Sequence, residues 1–226
     1  MEITLPDLVP VMTLPNVTFF PQALLPLHIF EPRYREMLSD TLDSNRLFAV
    51  AGLNEEEQRL KPETSEPPHQ IASVGIIRAC QKNANGTSNL LLQGLCRVAI
   101  QAIEQEQPYR VIRVRALTSE PGGSAEDNEW QRRELSRLLS IKQKLTPSDN
   151  RGITAFLKTV KDPEAFADIA AFSLCDNPSF KQKLLEILDV NRRMLLFAEH
   201  LRAQIAEIKL HRKLQGPLSD DRVGEN

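Results

Sequence analysis

The sequence predicts an α+β protein: a small β-barrel followed by a bundle of α-helices. Three observations carry this. From Val9 to Leu117 apolar residues come in short runs, several alternating with polar ones at period two, and turn residues separate the runs. From about Ser124 to Lys213 they recur instead at i, i+3, i+4 and i+7. Between the two regimes Pro121-Gly122-Gly123-Ser124 ends the β region.

Taken in order, Val9–Leu14 reads as a first strand and Leu24–Phe30 as a second, mostly buried one, with Pro26 placing it at an edge or bulge. Pro32 starts a helix over about residues 32–42, where its missing N–H costs nothing, and Tyr34, Met37 and Leu38 fall along one helical face. Arg46–Leu53 follows as a strand. The stretch 54–70, with Glu55, Glu56 and Glu57 in a row and Pro62, Pro67 and Pro68 behind them, reads as a long exposed loop without packed structure. Ile71–Cys80, Asn89–Gln93, Leu95–Ile103 and Tyr109–Leu117 form an antiparallel meander. In the third of these Cys96, Val98, Ile100 and Ala102 oppose Arg97, Ala99 and Gln101; in the fourth Ile112, Val114 and Ala116 oppose Arg113 and Arg115. Six or seven short strands with one early helix suggest a closed barrel, because closure removes exposed edges.

Five helices are expected beyond it. Leu135, Leu138, Leu139 and Leu145 stripe the first; Ile153, Phe156, Leu157 and Val160 the second; Phe166, Ile169 and Ala170 the third, behind Pro163. Pro178 opens a fourth with Phe180, Leu184, Ile187 and Leu188, and Asp189 caps the last, with Met194, Phe197, Leu201, Ile205 and Ile208 inward. The division is thus a barrel domain over 1–121, a helical bundle over 124–213 and a disordered tail over 214–226.

Composition narrows the function classes. At 226 residues and 41% hydrophobic content the chain can bury a substantial core. No apolar run reaches the roughly 18 residues of a membrane span, and the N-terminus lacks a basic segment followed by an apolar one, so a cytoplasmic location is expected. Cys80, Cys96 and Cys175 are odd in number and without C-x-x-C spacing, which argues for buried free thiols and against a disulfide framework or a zinc site. His28, His69, His200 and His211 suggest no metal site. The last two, eleven residues apart on one helix, are separated by about 16 Å of rise. No G-x-x-x-x-G-K-[ST] phosphate loop and no G-x-S-x-G occurs, so neither ATP hydrolysis nor peptidase activity is expected, and no cofactor.

The stretch Leu14-Pro15-Asn16, Phe20-Pro21 and Leu25-Pro26-Leu27-His28-Ile29-Phe30-Glu31-Pro32-Arg33-Tyr34-Arg35 resembles the opening of the Lon substrate-binding domain. The resemblance continues through Val74-Gly75 and Gly94-Leu95-Cys96-Arg97-Val98 into the helices, over roughly residues 5–213. It implies a PUA-like pseudobarrel, a stand-alone member without the ATPase and peptidase modules, and a non-enzymatic module for unfolded or client polypeptides, acting with a protease or chaperone component. One position departs: the family usually has glycine after Phe-Pro where this chain has Gln22, so if the turn needs positive φ, either Gln22 is strained or the turn differs.

On this reading Phe19 and Phe20 lie in a loop-like segment and, with Leu24 and Leu25, either form an exposed apolar patch for extended polypeptide or close the barrel end; Arg33 and Arg35 beside Tyr34 add planar forks of donors for a carboxylate or phosphate. The alternative is RNA binding, which the PUA-like fold admits, through Arg192, Arg193 and Arg202 of the basic last helix. A net charge of −2 and the absence of interleaved aromatics make nucleic acid the weaker reading.

Overall fold

The computed structural model describes residues 4–146 and 151–215, running β1 (Leu8–Leu14), β2 (Leu24–Ile29), α1 (Pro32–Asp43), β3 (Leu47–Gly52), α2 (Glu55–Leu60), β4 (Ile71–Lys82), β5 (Ser88–Gln105) and β6 (Val111–Leu117). The helices α3 (Ala125–Leu145), α4 (Arg151–Leu157), α5 (Pro163–Leu174), α6 (Pro178–Glu186) and α7 (Val190–Gln215) follow.

Strand β5 organises the sheet. It pairs with β4 along most of its length, while its other edge serves β2 in the first half and β6 in the second. Because β6 also pairs with β1, and β1 runs parallel to β3, the ring β5–β4–β3–β1–β6 closes on itself. Period-two alternation then sorts the side chains. Val9 and Val11, Leu47, Ala49 and Ala51, Ala72 and Val74, Val98, and Ile112 and Val114, drawn from all five ring strands, form one buried cluster, the barrel interior. The alternate residues Met12, Phe48, Val50, Ile77, Leu90 and Leu92 face the other way. They join Met37 and Leu38 of α1 and the inward residues of α3, α5, α6 and α7 in a second cluster that spans sheet and helices. Every residue of β3 is buried because it lies between the two.

Three sequence expectations need correction. The segments 89–93 and 95–103 are one long strand, with the register slipping beside Gly94 rather than a turn separating them. A Cβ at Gly94 would sit 2.1 Å from the Phe20 carbonyl oxygen, so the close approach explains the glycine. The 54–70 stretch is not structureless. Asn54 caps α2 by accepting from the Glu57 N–H at 3.1 Å, Arg33 holds Glu66 through two bonds of 2.7 and 2.8 Å, and Arg110 donates to the Ser65 and Glu66 carbonyls at 2.8 Å each. Finally, α7 continues to Gln215; the expected disorder of 216–226 lies outside the described residues.

Helix starts follow their signals. Ser124 and Asp127 form a reciprocal capping box at α3, Asp162 precedes Pro163 at α5, and Asn177 precedes Pro178 at α6. Asp189 accepts from the Arg192 N–H at 2.8 Å, the cap expected for α7.

What fixes barrel to helices is a buried ionic cluster that the sequence reading did not see. Arg97 of β5 donates to both Asp168 oxygens at 2.7 and 2.6 Å and to the Leu185 carbonyl at 3.0 Å. Arg193 of α7 donates to Asp168 Oδ1 at 2.8 Å, to the Ile187 carbonyl and to Ser119 Oγ, and Ser119 in turn donates to Glu164. The Arg97 and Arg193 side chains are 1% exposed and that of Asp168 0%. Burial lowers the pKa of Arg193 against the attraction of Asp168.

Gln22 adopts φ 63°, the left-handed conformation that the substituted glycine implied, while its N–H bonds the Gly94 carbonyl at 3.0 Å. Its side chain is exposed. Gln22→Gly therefore removes strain without opening a cavity, and is expected to stabilise the fold by about 0.5–1 kcal/mol in urea denaturation. A loss of stability would show that the Gln22 side chain contributes more than the strain costs.

Candidate functional site

In the opening stretch the structure decides between the two readings, against the exposed patch. Phe19 and Phe20 are 1% and 0% exposed, so they are core and not a patch. Their segment is stitched down by Ser73 Oγ donating to the Phe19 carbonyl at 2.7 Å and by the Gly94 N–H donating to the Ala23 carbonyl at 2.9 Å. The Phe19 ring then stands edge-on to Phe172 of α5, and the Phe20 ring lies beneath the Arg97 guanidinium at 5.9 Å. Both rings pack where the barrel meets the helices. Leu25 and Tyr34 are buried in the same cluster.

Arg33 is not a free fork. It is occupied by Glu31 and Glu66 and lies over the Tyr34 ring at 4.5 Å; its hydrogen bonds hold the Glu66 carboxyl below the usual range. The basic helix is likewise depleted, since Arg193 is buried and Arg202 pairs with Glu134 at 3.0 Å.

Of the six residues, Leu24 remains on the surface, 51% exposed. It does not stand alone. Alternation along β2 turns Leu24, Pro26 and His28 outward, opposite buried Leu25 and Ile29, and Phe30 beyond the strand is 61% exposed. His28 stacks on Phe30 at 6.0 Å and its Nδ1 meets Asn89 Oδ1 at 2.7 Å, so it is hydrogen-bonded as a scaffold histidine, but on the outer face. The register places Pro26 beside Leu91 and Leu91 beside Ala79, extending the apolar stripe across β5 to β4. The stripe is uncovered for a topological reason: β2 pairs with β5 outside the closed ring, so this corner of the sheet has no opposite wall. The far edge of β2 pairs with no strand among the described residues. Phe30 and Leu91 are the residues that sequence reasoning missed; period-two alternation from Leu24 would have reached Phe30.

Cys175 is buried and Cys80 and Cys96 are half-buried; all three are free. Burial raises the Cys96 and Cys175 thiols above their ordinary value. No helix among the described residues is long and apolar enough to cross a membrane.

Residues 8–203 match the family model of the ATP-dependent protease La (LON) substrate-binding domain. The chain belongs to the Lon substrate-binding domain family. Relatives include the Lon protease of Desulfosudis oleivorans, 24% identical over 220 residues, covering 96% of this chain and 26% of that protein. Lon protease 1 of Herpetosiphon aurantiacus is 26% identical over 221 residues, covering 90% and 27%. The chain therefore spans about a quarter of the length of these curated relatives. Among solved structures, the N-terminal domain of the Mycobacterium avium complex Lon protease superposes with TM-score 0.67 at 17% identity, covering 86% of this chain and 98% of that one. The Lon N-terminal domain protein of Xanthomonas campestris gives 0.59 at 18%, covering 87% and 97%. These two share the fold of this Lon substrate-binding domain.

Proposed function

We propose that this chain is a cytoplasmic, non-enzymatic binding module that captures extended segments of unfolded or client polypeptide on the outer face of β2 and β5. The observation that carries the reading is the apolar stripe of exposed Leu24, Pro26 and Phe30 with half-buried Leu91, beside a strand edge that no strand pairs with among the described residues. Unfolded segments share no sequence, so a surface that takes many of them must rely on apolar contact and backbone pairing. A sheet face supplies the first and its edge the second. Rigidity also matters: β2 is anchored by Leu25 and Ile29 in the core, which reduces the ordering cost of binding. The matched family model, a substrate-binding domain, supports the same reading.

The test is Leu24→Ser with Phe30→Ser. Removing two exposed apolar side chains should weaken capture of a permanently unfolded reporter protein by about tenfold or more, while the free energy of unfolding stays within about 0.5 kcal/mol. Unchanged capture would move the site off this face.

A further inference from the structure

Resting on that reading, we infer that the site prefers apolar segments carrying a carboxylate, which docks on Arg78. Strand β4 bulges between Ile77 and Ala79, and the extra residue is Arg78. The bulge turns its side chain onto the uncovered face, where Nε donates to Gln93 Oε1 at 2.6 Å. Gln93 is the cross-strand partner of Leu24, so the guanidinium is held beside the apolar stripe. That bond fixes the plane of the group yet uses Nε alone, and the Nη donors have no hydrogen-bond or ion-pair partner among the described residues.

Among the described residues most arginines that make an ion pair hold it within 3.0 Å, whereas Arg78 makes none. Arg33, Arg97, Arg110, Arg113, Arg132 and Arg193 are each matched to a carboxylate. The exposed residues that the register places on this face of β2, β5 and β4, namely Leu24, Pro26, His28, Asn89 and Gln81, include no acid. An aligned guanidinium fork with open donors, set at the margin of an apolar strip, complements a glutamate, aspartate or C-terminal carboxylate on a bound segment. The occupant is thus an extended polypeptide strand of apolar residues with one acidic group, and cationic segments are disfavoured.

The probe is a short extended peptide of alternating leucine and serine with one glutamate, blocked at both ends and labelled with an uncharged fluorophore, compared with its glutamine counterpart. Anisotropy titrations of the whole protein at low salt should show the glutamate peptide bound about two- to fivefold more tightly, with the advantage shrinking as salt rises. Arg78→Gln should abolish the difference and Arg78→Glu reverse it, with binding of the glutamine peptide little changed. No preference in the unaltered protein, or one that survives Arg78→Gln, overturns the inference. Failure of the underlying reading looks different: both peptides then bind Leu24→Ser/Phe30→Ser as well as they bind the unaltered protein, or bind neither.

Discussion

Asp168→Asn is expected to destabilise the protein by about 3–5 kcal/mol, because it removes the counter-charge from two desolvated guanidinium groups without letting water reach them. A drop in the melting midpoint of roughly 10 °C would accompany it for a chain of this size. The substitution preserves shape, so the loss reports charge rather than packing. Arg97 and Arg193 approach the same carboxylate from different elements, β5 and α7, while Asp168 itself lies on α5. Glu164→Gln should cost much less, since Glu164 is 38% exposed and water can take its place. An Asp168→Asn protein within about 1 kcal/mol of the original would mean that the cluster is hydrated in solution.

Phe20→Ser should be comparably damaging, at about 4 kcal/mol or more. Truncating a fully buried phenylalanine leaves a cavity of its own volume, and the serine hydroxyl adds a polar group with no assured partner. The ring also closes one side of the Arg97 guanidinium. Urea denaturation of Phe20→Ser and Leu24→Ser side by side separates core from surface within one short segment. Equal, small effects from the two would return Phe20 to the surface and revive the exposed patch that the sequence suggested.

The two readings of that segment show where a sequence can be read and where it cannot. The alternation of Ile112 and Val114 against Arg113 and Arg115 in β6, and the cap-and-proline pairs at Asp162-Pro163 and Asn177-Pro178, are local signals, and the structure forms on them as expected. Pro26 marked an edge strand because proline cannot donate to a second ladder, and β2 is at the edge. Phe19 and Phe20 have no such signal. A loop segment has no period to say which side faces inward, and these rings are covered by α5 and Arg97, which arrive much later in the chain. Arg97 and Arg193 were read as polar-face and basic-helix residues for the same reason, since their acid is remote. The order in 61–68 likewise comes from Arg33 and Arg110, on either side of a stretch that looks polar throughout. Alternation along β2 is the local signal that separates exposed Leu24 from buried Leu25, whereas Arg78 depends on a bulge that only strand pairing reveals.

The distance along the chain between Arg97 and its acid also sets a schedule for synthesis. Arg97 precedes Asp168 by 71 residues. At the usual pace of translation, several to some twenty residues per second, that gap lasts on the order of 4–14 s. During it the strands of the ring are available to pair, but the charge on β5 has no acid to desolvate against and the Phe19–Phe20 wall has no cover. The nascent barrel therefore waits half-dressed at the ribosome, and its interface with the helices cannot dry until α5 has emerged.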